Sequence, residues 1–296
     1  MNQYEKYKKA EKGAWLSIIA YLILATVKIT IAEVGNSAAL RADGLNNTTD
    51  VIASVTVLIG LKISRKPPDK DHHYGHFRAE TIASLVAAFI MVFIGLQVIV
   101  ETFRSIISGE YHQPDMLTAW TAVAAAVVMF IIYRYNLRLS KKVNSSALHA
   151  AAQDNKSDAY VSIGAAIGIF GAQLHWYWLD PLAGFIVGLI ICKTAWHIFW
   201  DATHTLTDGF DADELETIRE SIGAHPEVES VKDIKGRLHA NQPLIEATIY
   251  VDPTLTVQES HDISDEIEET LQADLHVPHA HIHIEPFNQS IKKEQE

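Results

Sequence analysis

Six long apolar stretches dominate this 296-residue chain and decide what it can fold into. They run over about 14–34, 38–63, 79–105, 116–136, 146–173 and 178–203. A helix needs roughly 20 mostly apolar residues to cross a bilayer core about 30 Å thick. The spacing therefore predicts six transmembrane helices. The first, third and fourth stretches read as plain apolar runs, whereas the second, fifth and sixth carry polar groups within the span.

Lys and Arg placement sets the expected orientation. Lys6, Lys8, Lys9 and Lys12 precede the first stretch; Lys62, Arg65, Lys66, Lys70 and Arg78 lie between the second and third; Arg134, Arg138, Lys141 and Lys142 lie between the fourth and fifth. The opposite side has little beyond Arg41 and Arg104. Both termini are expected to be cytoplasmic, with Trp176, Tyr177 and Trp178 at the outer interface. The apolar run after the Lys-rich start is full length rather than a short signal segment, so no cleaved leader is expected. The single cysteine, Cys192, excludes an internal disulfide and a thiolate cluster and reads as a buried, inert thiol.

Composition breaks near residue 206. The chain up to 205 is net +3 and the remainder net −15, giving the overall −12. That break predicts two domains, a membrane domain over 1–208 and a cytoplasmic tail over 209–296. The acidic tail disfavours nucleic acid, whose phosphates it would repel, and suits either cation attraction or simple solubility. Residues 211–223 read as a polar helix, 228–238 and 243–251 as strands, and 280–285 as a last strand. In 256–275, Ile263, Ile267 and Leu271 recur every four residues, marking an amphipathic helix. The expected fold is a membrane all-α bundle of six transmembrane helices plus a C-terminal α+β domain. The tail would be ferredoxin-like, in the order αββαβ, with antiparallel strands.

Ionisable groups inside membrane spans are costly and usually functional. The second stretch contains Arg41-Ala-Asp43-Gly-Leu-Asn46-Asn47-Thr-Thr-Asp50, and the fifth contains Asp154-Asn155-Lys156-Ser157-Asp158. Asn46 and Asp50 are four apart, as are Asp154 and Asp158, so each pair projects from one helix face. Facing each other, the pairs would supply three carboxylates and one amide to a cation; carboxylates at this spacing also suit a proton relay. Hard oxygen donors favour Mg²⁺, Ca²⁺ and Mn²⁺ over Zn²⁺ or Cu⁺. Three clustered carboxylates in reduced dielectric also hold protons that a divalent cation would displace. No phosphate loop, His-Glu-x-x-His run or Ser/His/Asp set in motif context is present, which argues against an enzyme.

The six-helix plan, these two pairs and the run Asp69-Lys-Asp-His72-His73-Tyr-Gly75-His76-Phe-Arg78-Ala-Glu80 resemble the cation diffusion facilitator family over nearly the whole chain. The resemblance implies a homodimer in the lipid bilayer, with one four-ligand transport site per protomer between helices 2 and 5. It implies metal export by alternating access against inward proton flow, with no cofactor beyond the transported ion. Zinc-transporting members commonly place His where this chain has Asp154; Asn46, Asp50, Asp154 and Asp158 together resemble the manganese-exporting branch, as does Asp43-Gly-Leu-Asn46-Asn47. Zn²⁺ and Fe²⁺ are the alternative cargoes. A second frame makes Asp43 and Asn47 the helix 2 ligands. Asn46 and Asp50 are preferred because they keep an ungapped distance to the His76 region, leaving Asp43 as a neighbouring acid partnered with Arg41. With no targeting segment and no His-rich loop, a bacterial plasma membrane is expected.

Asp69, His72 and His76 would share one face if their segment were helical. The matching family positions can form a peripheral metal site; the plainer reading is a hydrogen-bonded interfacial turn around Gly75. Arg78 resembles the basic partner of an ion pair with the position filled here by Asp208, locking helix 3 to a dimer hinge. The tail carries His239, His261, His276, His279, His281, His283 and Glu285. In zinc-type members tail ligands bridge protomers, and His261, His283 and Glu285 match such positions. Lys232 and Thr248 occupy two others as poor ligands, so the site is either rebuilt with His279 and His281 or is a solvated strand. A metal-responsive membrane sensor that works through its tail is the alternative function.

Overall fold

The computed structural model describes residues 3–64, 66–109, 111–143, 146–239 and 242–287, with backbone only for 3–12, 14, 57, 143, 146, 147 and 150. The side chains of Lys6, Lys8, Lys9, Lys12 and Arg65, used above for orientation, lie outside the described residues. Six long helices come first: α1 (Gln3–Gly35), α2 (Ala38–Ser64), α3 (Arg78–Ser108), α4 (Met116–Val143), α5 (Ser146–Gln173) and α6 (Leu179–Leu206). The tail follows as α7 (Ala212–Gly223), β1 (Ser230–His239), β2 (Gln242–Val251), α8 (Val257–Asp274) and β3 (His279–Pro286). The chain divides into two compact units. One holds the chain up to Gly60 with Ala83–Phe199; the other joins Leu61–Ile82 to the chain from Trp200 onward.

In the first unit, small side chains let helices approach closely. Ala32, Ala39, Leu40, Ala119, Ala122, Ala165, Ala166 and Ile169 form one buried cluster from α1, α2, α4 and α5. Alanine-rich seams of this kind are how helices pack when lipid removes the hydrophobic drive between them. Gly95 brings α3 against α6: a Cβ there would stand 2.6 Å from Cys192 Sγ. Cys192 itself is half-buried rather than fully enclosed. Large apolar groups such as Phe93 and Ile167 point outward and exposed, as expected of a lipid-facing surface. Asp180, at the start of α6, accepts from the Ala38 amide and the Ser37 hydroxyl, each at 2.7 Å. It thereby satisfies donors at the α2 N-terminus, which has few partners of its own.

Four helices, α1, α3, α4 and α6, are long and apolar enough to cross a membrane by composition. Among the described residues, α2 and α5 match them in length but fall short in hydropathy. Those two helices carry the Asn/Asp pairs, so the polar groups themselves dilute the apolar signal.

The tail has a three-stranded sheet in the order β1-β2-β3. β1 and β2 pair antiparallel, as expected, but β2 and β3 run parallel, which corrects the all-antiparallel expectation. The reason is the connection: α8 crosses from the end of β2 to the start of β3, and such a βαβ crossover returns the chain in the same direction. Ile218 and Ile222 of α7 and Ile263, Ile267 and Leu271 of α8 pack on Ile234, Ile245, Ile249 and Ile282 of the sheet in one core. Asp211 caps α7 by accepting from the Asp213 and Glu214 amides, and Thr256 with Glu259 closes a capping box on α8.

Candidate metal transport site

The two polar faces expected from sequence meet at Asp158. Asn46 Nδ2 on α2 donates to Asp158 Oδ1 on α5 at 3.0 Å, and the Tyr21 hydroxyl on α1 donates to Oδ2 at 2.7 Å. Asn46 and Asp158 are each only 7% exposed. Asp50, one turn along α2, is half-buried, with a buried Oδ2 that lacks a hydrogen-bond partner. Asp154, one turn along α5, is exposed. The ligand oxygens of Asp50, Asp154 and Asp158 do not all fall within 4.8 Å of one another; among the described residues, Asp69, His72 and His76 form the group that does. Asn46 and Asp158 are thus enclosed, Asp50 is partly so, and Asp154 reaches the surface.

Asp43 and Asn47, the other frame for helix 2, are differently engaged. Lys28, about two turns before the end of α1, stands 2.9 Å from Asp43 Oδ2, donates to Asn47 Oδ1 at 2.7 Å and to Ser162 Oγ at 3.0 Å. Both the Lys28 and Asp43 side chains are 0% exposed. The expected Arg41–Asp43 partnership is not formed: Arg41 pairs with Glu33 at 3.0 Å and Glu101 at 2.8 Å. Residues two apart on a helix point in different directions, so one turns outward while the other turns in. Sequence reasoning missed Lys28 and Tyr21 by treating the first stretch as plainly apolar. The signal was present: one lysine in mid-span demands a buried partner. A further polar seam joins Asn136 and Asn155, both donating to Ser17 Oγ, at 2.9 and 3.0 Å.

In the second unit, residues 66–77 form turns rather than a helix, yet Asp69, His72 and His76 converge. Asp69 Oδ1 lies 3.1 Å from His72 Nδ1, Asp69 Oδ2 lies 3.4 Å from His76 Nε2, and the two rings sit 4.2 Å apart. The Asp71 amide and then the His72 ring hold the Asp69 carboxyl below its usual range. Beside them, His239 on β1 meets the Tyr74 carbonyl at 3.1 Å. Arg78 pairs with Asp208 at 2.7 Å, both side chains about half exposed.

The tail residues do not gather. His261 sits exposed on α8 beside Asp265 at 3.2 Å. His279, His281 and His283 lie along β3 on alternate positions from the buried Ile282, and are exposed. Glu285 is held by Lys232 at 2.7 and 2.8 Å, which raises the affinity of that amine for its proton. His283 is 3.9 Å from Glu285.

Residues 14–207 match the cation efflux transmembrane domain and 210–287 the cation efflux protein cytoplasmic domain. The chain belongs to the cation diffusion facilitator family. It is 52% identical over 289 residues to the manganese efflux system protein MneS of Bacillus subtilis, covering 98% of this chain and all of that one. It is also 32% identical to the manganese efflux system protein MneP of the same organism, covering 96% of this chain and 98% of that one. Members of this family are divalent cation exporters rather than enzymes.

Proposed function

We propose that the chain exports Mn²⁺ by proton-coupled antiport, carrying the ion at Asn46, Asp50, Asp154 and Asp158. The observation that carries this reading is the direct Asn46–Asp158 hydrogen bond, which joins the α2 and α5 polar faces inside the helix bundle. Occupation of Asp43 and Asn47 by Lys28 favours Asn46 and Asp50 as the helix 2 ligands. The names of MneS and MneP support Mn²⁺ as cargo, as does the absence of imidazole or thiolate from the quartet.

In this reading all six long helices span the membrane, including α2 and α5, whose polar faces turn inward. Both termini lie in the cytoplasm of a bacterial cell, and two copies pair through the tail. Metal enters from the Asp50–Asp154 side, displaces protons from the carboxylates, and is released after the helices rearrange to expose the other side. Protons from outside then reload the acids. The loop site at Asp69, His72 and His76 binds metal peripherally, and the Arg78–Asp208 pair braces α3 against the tail side of the dimer hinge. His261, His279, His281, His283 and Glu285 are candidate regulatory ligands that need a second protomer to converge.

Inverted membrane vesicles expose the cytoplasmic face, so they should accumulate Mn²⁺ when their interior is acid. Zn²⁺ and Fe²⁺ should compete poorly. Uptake of Zn²⁺ without Mn²⁺ would reassign the cargo, and indifference to the pH gradient would remove proton coupling. A protein that binds metal but moves none would instead be a sensor.

A further inference from the structure

Lys28 is the buried charge that the transport scheme does not use. Its ammonium is surrounded by one carboxylate, one amide oxygen and one hydroxyl, from Asp43, Asn47 and Ser162. Asp43 and Asn47 are four apart on α2, and Ser162 is four beyond Asp158 on α5, so this cage continues the faces that build the quartet. Seven residues separate Asp43 from Asp50, or about 10 Å of helix rise. The cage therefore stacks on the enclosed Asn46–Asp158 side of the quartet, opposite the exposed Asp154. Its donors are hard oxygens of the type that suits Mn²⁺. Asp43 Oδ1 is buried there without a hydrogen-bond partner, so the cage keeps an unused oxygen acceptor.

We propose that Lys28 is a tethered cation that fills this second cage and keeps divalent metal out of it, confining the transported ion to the quartet. The ammonium neutralises Asp43, and its own charge opposes a second cation entering along the same faces. The lysine is thus a specificity-determining element: it makes one of two adjacent oxygen cages a metal site and the other a plug. Without it, Asp43, Asn47 and Ser162 become a divalent-cation site, and an ion leaving the quartet on that side is retained. This inference rests on the export reading above.

The test counts Mn²⁺ bound to the purified full-length protein by equilibrium dialysis, comparing wild type with Lys28→Gln, Lys28→Gln/Asp43→Asn and Asp50→Ala. Lys28→Gln should bind one more Mn²⁺ per chain than wild type, and the double variant should return to the wild-type number. Because loss of the ammonium strands a buried carboxylate, Lys28→Gln is also purified with Mn²⁺ present throughout. Metal should then restore its folded yield and thermal stability toward wild type. An unchanged Mn²⁺ count in Lys28→Gln, or no recovery by Mn²⁺, overturns the proposal. Failure of the export reading has a different signature: Asp50→Ala would leave the wild-type count unaltered.

Discussion

Breaking the Lys28–Asp43 pair should be among the most damaging single changes in the membrane unit. The two side chains are 2.9 Å apart and neither is exposed. Lys28→Met deletes the ammonium but leaves the Asp43 carboxylate buried without its partner. Removing one partner of a buried pair costs about 3–5 kcal/mol, mostly the penalty of the stranded charge. Asp43→Leu should cost a similar amount for the converse reason. The double variant should regain most of the loss, since apolar replacement of both members of a buried pair is often close to neutral. The coupling energy from the cycle should therefore be about 3 kcal/mol or more. SDS titration of the full chain in mixed micelles measures it. The Arg78–Asp208 pair gives the internal contrast: it has a shorter contact of 2.7 Å, but both side chains are 47% exposed, so its coupling should stay within about 1 kcal/mol. Equal coupling for the two pairs, or a Lys28→Met protein as stable as wild type, would refute the reasoning that burial rather than distance sets the magnitude.

Asp154→His places an imidazole beside three oxygen donors and should shift vesicle uptake from Mn²⁺ toward Zn²⁺, read as the ratio of initial rates for the two metals. Thr256→Ala removes the side-chain half of the α8 capping box and should cost the tail about 1 kcal/mol, seen as faster amide exchange in the first turn of α8. Asp69 has a folded pKa depressed below the ordinary 3.8. Its contribution to ordering residues 66–77 is therefore present above that value and lost as pH falls through the lower folded value. Exchange protection of the Asp71 and His72 amides should hold between neutral pH and about 5, then fall in stronger acid.

The tail's element boundaries were legible to within two residues because each rested on a period or a punctuation mark. By contrast, α1 begins eleven residues before its apolar stretch and α4 runs seven past its own, since polar helix ends carry no apolar signal. Ile263, Ile267 and Leu271 marked the buried face of α8, and they pack there. The parallel pairing of β2 with β3 was not read, because alternation shows which face a residue takes but not which way the strand runs; the α8 connection decides that. Asn46 and Asp158 stood out because polar groups in an apolar run are conspicuous in pairs. Lys28 was overlooked as a single charge, and its partners lie 15, 19 and 134 residues away on other helices, distances that no local period reveals. Tyr21 was similarly hidden: a tyrosine in an apolar span reads as core until Asp158 is found 2.7 Å from its hydroxyl. The loop ligands converged for a reason outside helical spacing, since Asp69 organises a turn by accepting from the Asp71 and His72 amides and thereby meets both rings.

In the proposed mechanism the transported ion is held between α2 and α5. Mn²⁺ flux into proteoliposomes, measured for wild type, Asp50→Ala and Asp158→Ala at matched protein levels, tests it most directly. Both variants should lose uptake while retaining the wild-type elution profile, and Asp69→Ala should retain most of the flux. Wild-type flux through Asp50→Ala or Asp158→Ala would contradict the assignment and move the transport site elsewhere in the bundle.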